Sequence, residues 1–183
     1  MEIVERVLTD AIVLKSRVFN DERGIFYESF NANVFELLSG VKVDFIQDNQ
    51  SSSSKGTLRG LHFQTGSASQ AKLVRVTRGS AYDVAVDLRP HSPTFKKWHA
   101  VELSAANYFQ FYIPRGFAHG FVALEHNTIF QYKVDNYYSS VNDGGVIWND
   151  VELDINWPNL KLELSEKDKN LPNLNQLNLK TLW

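Results

Sequence analysis

Alternation of apolar and polar positions governs the middle of the chain. In SAYDVAVDL, Tyr82, Val84, Val86 and Leu88 fall on one side and Asp83, Ala85 and Asp87 on the other, the two-residue period of a β-strand. The longer run LVRVTRGSAYDVAVDLR reads as two such segments turning about Thr77, Arg78 and Gly79, the pattern of a hairpin. Before it, residues 11–19 (AIVLKSRVF) and 25–30 (IFYESF) form two further strand-like runs around the turn cluster NDERG. After it come KWHAVEL, YFQFYIP, GFVALE and NTIFQYKVDNYY. Turn signals separate these runs at short intervals, which predicts an all-β antiparallel sandwich or barrel with few helices. One helix is expected over residues 31–40 (NANVFELLSG): Asn31 or Asn33 caps it, Val34, Leu37 and Leu38 share a face, and Gly40 ends it. FIQDNQ leads into SSSSKG, read as a polar loop. LSEKDKN fits a short helix capped by Ser165, with Asp168 at its third position.

Nothing in composition disturbs that picture. The chain has 183 residues, no internal repeat and no long linker, so a single domain over residues 1–183 is expected. That size buries enough apolar surface to stand without staples, and the absence of cysteine excludes a disulfide framework and a thiolate zinc site. The N-terminus MEIVERVLTD mixes charge through its apolar positions, unlike a secretory signal, and no apolar run approaches a membrane span. A soluble, cytoplasmic protein is the expectation. With 19 Lys+Arg against 21 Asp+Glu, the net charge of -2 argues against a general nucleic-acid binder. A small phosphorylated ligand needs only a few placed cations.

The stretch TLRGLHFQ is the first that fits a strand poorly. In a regular strand Leu58, Gly60, His62 and Gln64 share one face, and Arg59, Leu61 and Phe63 the other, so Arg59 and His62 point apart. A bulge at Gly60 would re-aim them; a satisfied core histidine beside a surface arginine describes the segment as well. His119 lies in IPRGFAHGF, where Pro114, Gly116 and Gly120 imply a tight turn, a common place for functional side chains. Lys72 shares a face with Val74 and Val76, where an ammonium must snorkel or meet a partner. Tyr132 points with Phe130 and Val134, so its hydroxyl needs a partner if buried. His62, Gln64 and His119 offer two imidazoles and an amide, and no glutamate lies between Lys55 and Val101. That is a poor transition-metal set, so no metal site is expected.

Taken together and in order, DERGIFYESFN, FIQDNQSSS, LRGLHFQ, QAKLVRVTRGSAYDVAVDLR, SPTF, IPRGFAHGF, the tyrosine-rich run from Tyr132, IWND and LSEKD resemble the dTDP-4-dehydrorhamnose 3,5-epimerases. The resemblance spans about residues 13–168 and implies a cupin-type jelly roll. It also implies the chemistry. A ketone at C4 of a dTDP-linked 6-deoxyhexose acidifies the hydrogens on C3 and C5; a base removes each proton, an enolate forms, and an acid returns a proton to the opposite face. No cofactor is required.

Roles follow for the matching positions. His62 would be the base, worth roughly two to four orders of magnitude in rate, with Asp168 holding its tautomer. Tyr132 would be the acid on the other face, and Lys72 would stabilise the enolate oxygen. His119 would contact the sugar. Arg23 and Arg59 would hold the diphosphate, for which a guanidinium fork is suited. Gln47, Asp48 and Asn49, with Glu28, would contact the nucleotide. Tyr138 would stack on the thymine, and Phe26 stands in a conspicuous position after the DERG turn. Asp143 replaces a glutamate common in the family, and Lys167 matches a ligand-contacting lysine. The family implies a homodimer in which residues near the site come from the partner chain. The competing readings are an epimerase of one carbon only, a metal-dependent cupin, and a sugar-binding module without catalysis.

Overall fold

The computed structural model describes residues 1–179 and Leu182. Its strands are β1 (Glu2–Val7), β2 (Ala11–Lys15), β3 (Val18–Asp21), β4 (Gly24–Tyr27), β5 (Gln47–Ser53), β6 (Leu58–Gln64), β7 (Lys72–Arg78), β8 (Ser80–Asp87), β9 (Trp98–Ser104), β10 (Phe109–Ile113), β11 (Phe117–Ala123), β12 (Thr128–Val134) and β13 (Asp143–Gly145). Two short helices, α1 (Ala32–Ser39) and α2 (Glu166–Lys169), complete the regular structure together with a few single 3₁₀ turns. One sheet runs β1-β2-β10-β7-β12-β5, the other β13-β6-β11-β8-β9, and β3-β4 forms a separate hairpin. Every pairing between strands is antiparallel. The two sheets enclose the core, which is the cupin-type jelly roll expected.

The expected hairpin at Thr77–Gly79 is absent. β7 belongs to the first sheet and β8 to the second, so the chain crosses between sheets there. Gly79 makes the crossing with φ +75, and a Cβ on it would lie 2.6 Å from Thr128 Oγ1. Both faces of β8 are covered as a result. Ala81 and Ala85 join the inter-sheet core, while Val84, Val86 and Leu88 pack on the outer side beneath Leu153 and Leu174. The alternation seen in the sequence was real, but neither side meets solvent.

Three other expectations change. The first three serines of the expected polar loop SSSSKG belong instead to strand β5 (QDNQSSS), which is paired along its whole length with β12. Its polarity suits an edge strand that faces solvent on one side and a cavity on the other. Residues 11–19 form no continuous strand: the chain breaks after Lys15 and restarts at Val18. Helix α1 is capped by Asn31, whose side chain accepts from the Val34 N–H, and it ends at Gly40. Its buried apolar residue is Phe35, however, and Leu37 is 82 % exposed. Phe35 packs edge-on against Phe45 and Tyr112 and tilts against Phe30, closing the outer face of the first sheet. A fully buried aromatic is worth roughly 1.5–3 kcal/mol, which outweighs the periodicity that favoured Leu37.

Within the sandwich, Phe121 of β11 and Phe130 of β12 stack across the gap, ring centroids 4.0 Å apart and nearly parallel. This pair closes the floor of the cavity described next.

Candidate active site

A cavity of about 550 Å³ opens between the sheets and takes side chains from both. His62 and Arg59 reach it from β6, His119 from β11, Lys72 from β7 and Tyr132 from β12. Beyond Pro158 a strap closes one end. It is tied to β6 by the Leu58 N–H to the Glu163 carbonyl, and Ser165 caps α2 by accepting from the Asp168 N–H, as the sequence implied. Lys167 and Asp168 of that strap also line the cavity.

The arginine and histidine of β6 point the same way because the strand is bulged. His62 pairs with His119 and Arg59 with Phe121, so three steps along β6 oppose two along β11. The extra residue turns side chains three apart onto one face. Gly60 sits in the irregularity with φ +130, and a Cβ there would lie 2.5 Å from Gly120 Cα. Two glycines therefore let the backbones close at this point.

Asp168, 3 % exposed, sits 2.6 Å from His62 Nε2. Burial by itself would raise the Asp168 carboxyl, but its hydrogen bond and charge interaction with His62 and the N–H of Gly60 outweigh it and hold the pKa low. An ionised carboxylate only accepts, so Nε2 of His62 is the donor in this pair and Nδ1 is the ring nitrogen that Asp168 leaves unengaged. Tyr132 stands on the opposing sheet. Burial raises its phenol, with the Arg59 charge acting the other way. Arg59 is held by Nε donating to the buried Ser53 hydroxyl at 3.2 Å.

Lys72 is half-buried, and loss of solvation lowers its ammonium to about 8, against the opposing pull of Asp83 and Asp143. His119 lies on strand β11, not in a turn, and is 7 % exposed. Its Nε2 is 2.8 Å from Asp83, a carboxylate with no exposed surface. Burial depresses the imidazole's pKa, and Asp83 only partly offsets that. Asp83 Oδ1 has no hydrogen-bond partner among the described residues. A carboxylate costs several kcal/mol to bury, and here it lies under two groups of the cavity. Sequence reasoning missed Asp83 and Ser53. Asp83 showed only as a polar position inside a strand run, and Ser53 lay in the stretch read as a polar loop.

The remaining expected residues divide into three places. At the cavity mouth, Asp143 accepts from Lys167, from the Tyr138 hydroxyl at 3.1 Å and from Gln64 Nε2 at 3.3 Å. On β5, Asn49 pairs with Tyr132, Gln47 donates to Asn49 at 2.9 Å, and Asp48 pairs with Lys133 on the outer face. Asp48 and Asn49 line a second cavity that shares Tyr132 with the first. Arg23 and Glu28 lie apart from both. Arg23 occupies the tip of the β3-β4 hairpin, paired with Asp21, and Glu28 accepts from Asn31. Phe26 beside it is 71 % exposed.

The donors considered for a metal have other partners. His62 and His119 each commit Nε2 to a carboxylate, and Gln64 is turned toward Asp143 and the Ser139 N–H. No group of three or more His, Asp or Glu side chains suited to a metal occurs among the described residues.

A jelly roll whose two sheets present an imidazole–carboxylate pair and a phenol to one cavity, with cations at hand, belongs to the class of sites equipped to move protons on and off a bound ligand. The comparisons narrow it. The family model for dTDP-4-dehydrorhamnose 3,5-epimerase matches residues 5–176, and the chain belongs to this family. It is 51 % identical over 178 residues to the enzyme of that name from Escherichia coli K12, covering 97 % of this chain and 96 % of that one. The crystal structure of dTDP-4-dehydrorhamnose 3,5-epimerase from Elizabethkingia anophelis superposes with a TM-score of 0.92 at 50 % identity, over 97 % of this chain and 98 % of that one. The dTDP-6-deoxy-D-glucose-3,5-epimerase of Legionella pneumophila, solved with dTDP-4-keto-L-rhamnose, superposes at 0.95 with 42 % identity, over 99 % and 96 %. The protein is accordingly an isomerase of the carbohydrate 3,5-epimerase type.

Proposed function

We propose that the protein inverts C3 and C5 of dTDP-4-dehydro-6-deoxy-glucose to give dTDP-4-dehydro-rhamnose, with His62 as base and Tyr132 as acid. The observation that carries this is the placement of His62 and Tyr132 on opposite sheets around one cavity. Inversion at carbon needs a proton removed from one face and returned to the other, so the two groups must flank the ring. Nδ1 of His62 takes the proton from C3 or C5. The C–H electron pair moves into the ring and the C4 carbonyl becomes an enolate. Lys72 stabilises the oxygen's charge, and a half-buried ammonium does so more strongly than one in water. The Tyr132 hydroxyl then delivers a proton from the far side. Asp168 steadies the imidazolium that forms.

Arg59 would meet the diphosphate, Tyr138 the thymine, and Lys167 would contact the ligand beside it. Gln47, Asp48, Asn49 and Asp143 would complete the nucleotide contacts, with His119 on the sugar. The bound sugar nucleotide in the Legionella structure is of this kind. We further take the whole chain to act as one domain of a homodimer in the cytoplasm. Among the described residues no helix is long and apolar enough to cross a membrane. Phe19, Ile25 and Phe26 of the β3-β4 hairpin are exposed, and a second copy covering them would bring Arg23 and Glu28 to that copy's nucleotide.

Solvent exchange tests the reading. In deuterated water the keto-sugar nucleotide should gain label at both C3 and C5, and His62→Ala should slow this by at least ~100-fold. Label at one carbon alone would make the protein a single-centre epimerase. No label at either would overturn epimerisation.

A further inference from the structure

Gln64 takes no part in the chemistry just described, does not line the cavity, and is 5 % exposed. It follows His62 by two residues on β6, so the two side chains leave the strand on the same face. Its carboxamide is fully directed. Oε1 accepts from the Ser139 N–H at 2.8 Å, and Nε2 donates to Asp143 Oδ1 at 3.3 Å. The other Asp143 oxygen accepts from Tyr138 and from Lys167. Around it the backbone of β13 pairs with the end of β6, Asp143 opposite Gln64, and the Thr65 N–H reaches the Asn142 carbonyl at 2.9 Å.

We infer that Gln64 is a positioning residue for nucleotide recognition: it fixes the lip formed by Tyr138, Asp143 and Lys167 to the strand that carries Arg59 and His62. The inference rests on the reading above, in which Tyr138 meets the thymine. The reasoning is geometric. Tyr138 is 58 % exposed, and its ring has no stacking partner among the ring contacts of the described residues, so little other than its hydroxyl bond holds it. That bond ends on Asp143, whose second oxygen is held by Gln64. The same carboxamide also fixes the backbone one residue after Tyr138. A single interior side chain thus sets both ends of the lip, and it sets them relative to the base two residues away. Replacing the amide by an apolar group would leave the part-buried Ser139 N–H and a carboxylate oxygen short of a partner, a penalty wherever the lip stays ordered. The lip is at the surface, so it would relieve that cost by loosening.

The test is Gln64→Met, near in shape but unable to make either bond, measured for dTDP affinity by calorimetry and for KM and kcat with the keto-sugar nucleotide. Affinity for dTDP should fall about tenfold and KM rise in step, the change that a ~1.4 kcal/mol loss gives, with kcat within threefold of wild type. In a Tyr138→Ala background, Gln64→Met should cost clearly less than its tenfold loss in wild type, because only the Asp143 and Lys167 part of the lip is left to loosen. Unchanged affinity in the single variant, or fully additive losses in the double one, would overturn the inference. If Gln64→Met does not yield folded protein, Gln64→Glu carries the same test. It still accepts from Ser139 but repels Asp143, so affinity falls and Asp143→Asn in the same chain recovers it; no recovery overturns the proposal. Wild-type protein separates the two levels. Wild type that binds no dTDP would refute the functional reading itself, whereas wild type and Gln64→Met binding dTDP equally would refute only the role of Gln64.

Discussion

At the scale of single residues, the cavity works by arranging which groups carry charge. Asp168 stays ionised and keeps the proton of His62 on Nε2. Burial brings Lys72 toward the working range, its ammonium lowered to about 8. A base loses its charge as pH rises through its pKa. The proposed role for Lys72 therefore predicts that kcat/KM falls about tenfold per pH unit above about 8. Lys72→Arg should abolish that limb, because a guanidinium stays charged throughout; a profile that keeps it would assign the limb to another group. The sequence disclosed these residues unevenly. Lys72, Tyr132 and His62 were legible as polar groups placed where a strand wants apolar ones. Their partners were not: Asp168 is 106 positions from His62 and Asp83 is 36 from His119, separations across which no local pattern reaches. Asp83 was visible only as one side of an alternation, and nothing in that alternation said that both sides would be buried.

At the scale of elements, β6 decides the geometry. Its bulge puts Arg59 and His62 on one face, and Gly60 against Gly120 is what permits it. Gly60→Ala should cost at least ~2 kcal/mol, from a side chain at positive φ and a methyl driven into the facing backbone. The urea midpoint would show this. Exchange activity should fall by more than the folded fraction does, because Arg59 and His62 are turned apart. Activity that simply follows the folded fraction would mean the bulge does not aim these residues. A glycine between Arg59 and Leu61 advertised an irregularity in the sequence; its direction could not be read without knowing that Gly120 lies opposite. Strand β5 failed for another reason. QDNQSSS has no apolar face, since one side meets water and the other a polar cavity, and hydrophobic period is the main signal by which a strand is found. Helix α1 was found by its cap and its terminal glycine, which depend only on neighbours in sequence.

At the scale of the whole molecule, antiparallel β architecture was evident from strand-like runs and turn spacing, while the allocation of strands to sheets was not. A glycine turn between two alternating runs fits a hairpin and an inter-sheet crossing equally, and at Gly79 the chain makes the crossing. The β3-β4 hairpin belongs to this scale too, because its exposed aromatics and Arg23 stand apart from the cavity that holds His62 and Tyr132. Light scattering should report a dimer. Arg23→Ala should raise KM several-fold with little change in kcat if the guanidinium serves the neighbouring copy's diphosphate; a monomeric wild type, or an unaltered KM, would remove the arm from the site. The crossing at Gly79 has one more consequence. From β5 to β8 each successive strand joins the other sheet, so no short length of chain assembles either sheet. Such long-separation pairing slows refolding. The walls holding His62 and Tyr132 meet only when the two sheets close on one another, and competence for proton transfer is thus among the last properties a refolding chain recovers.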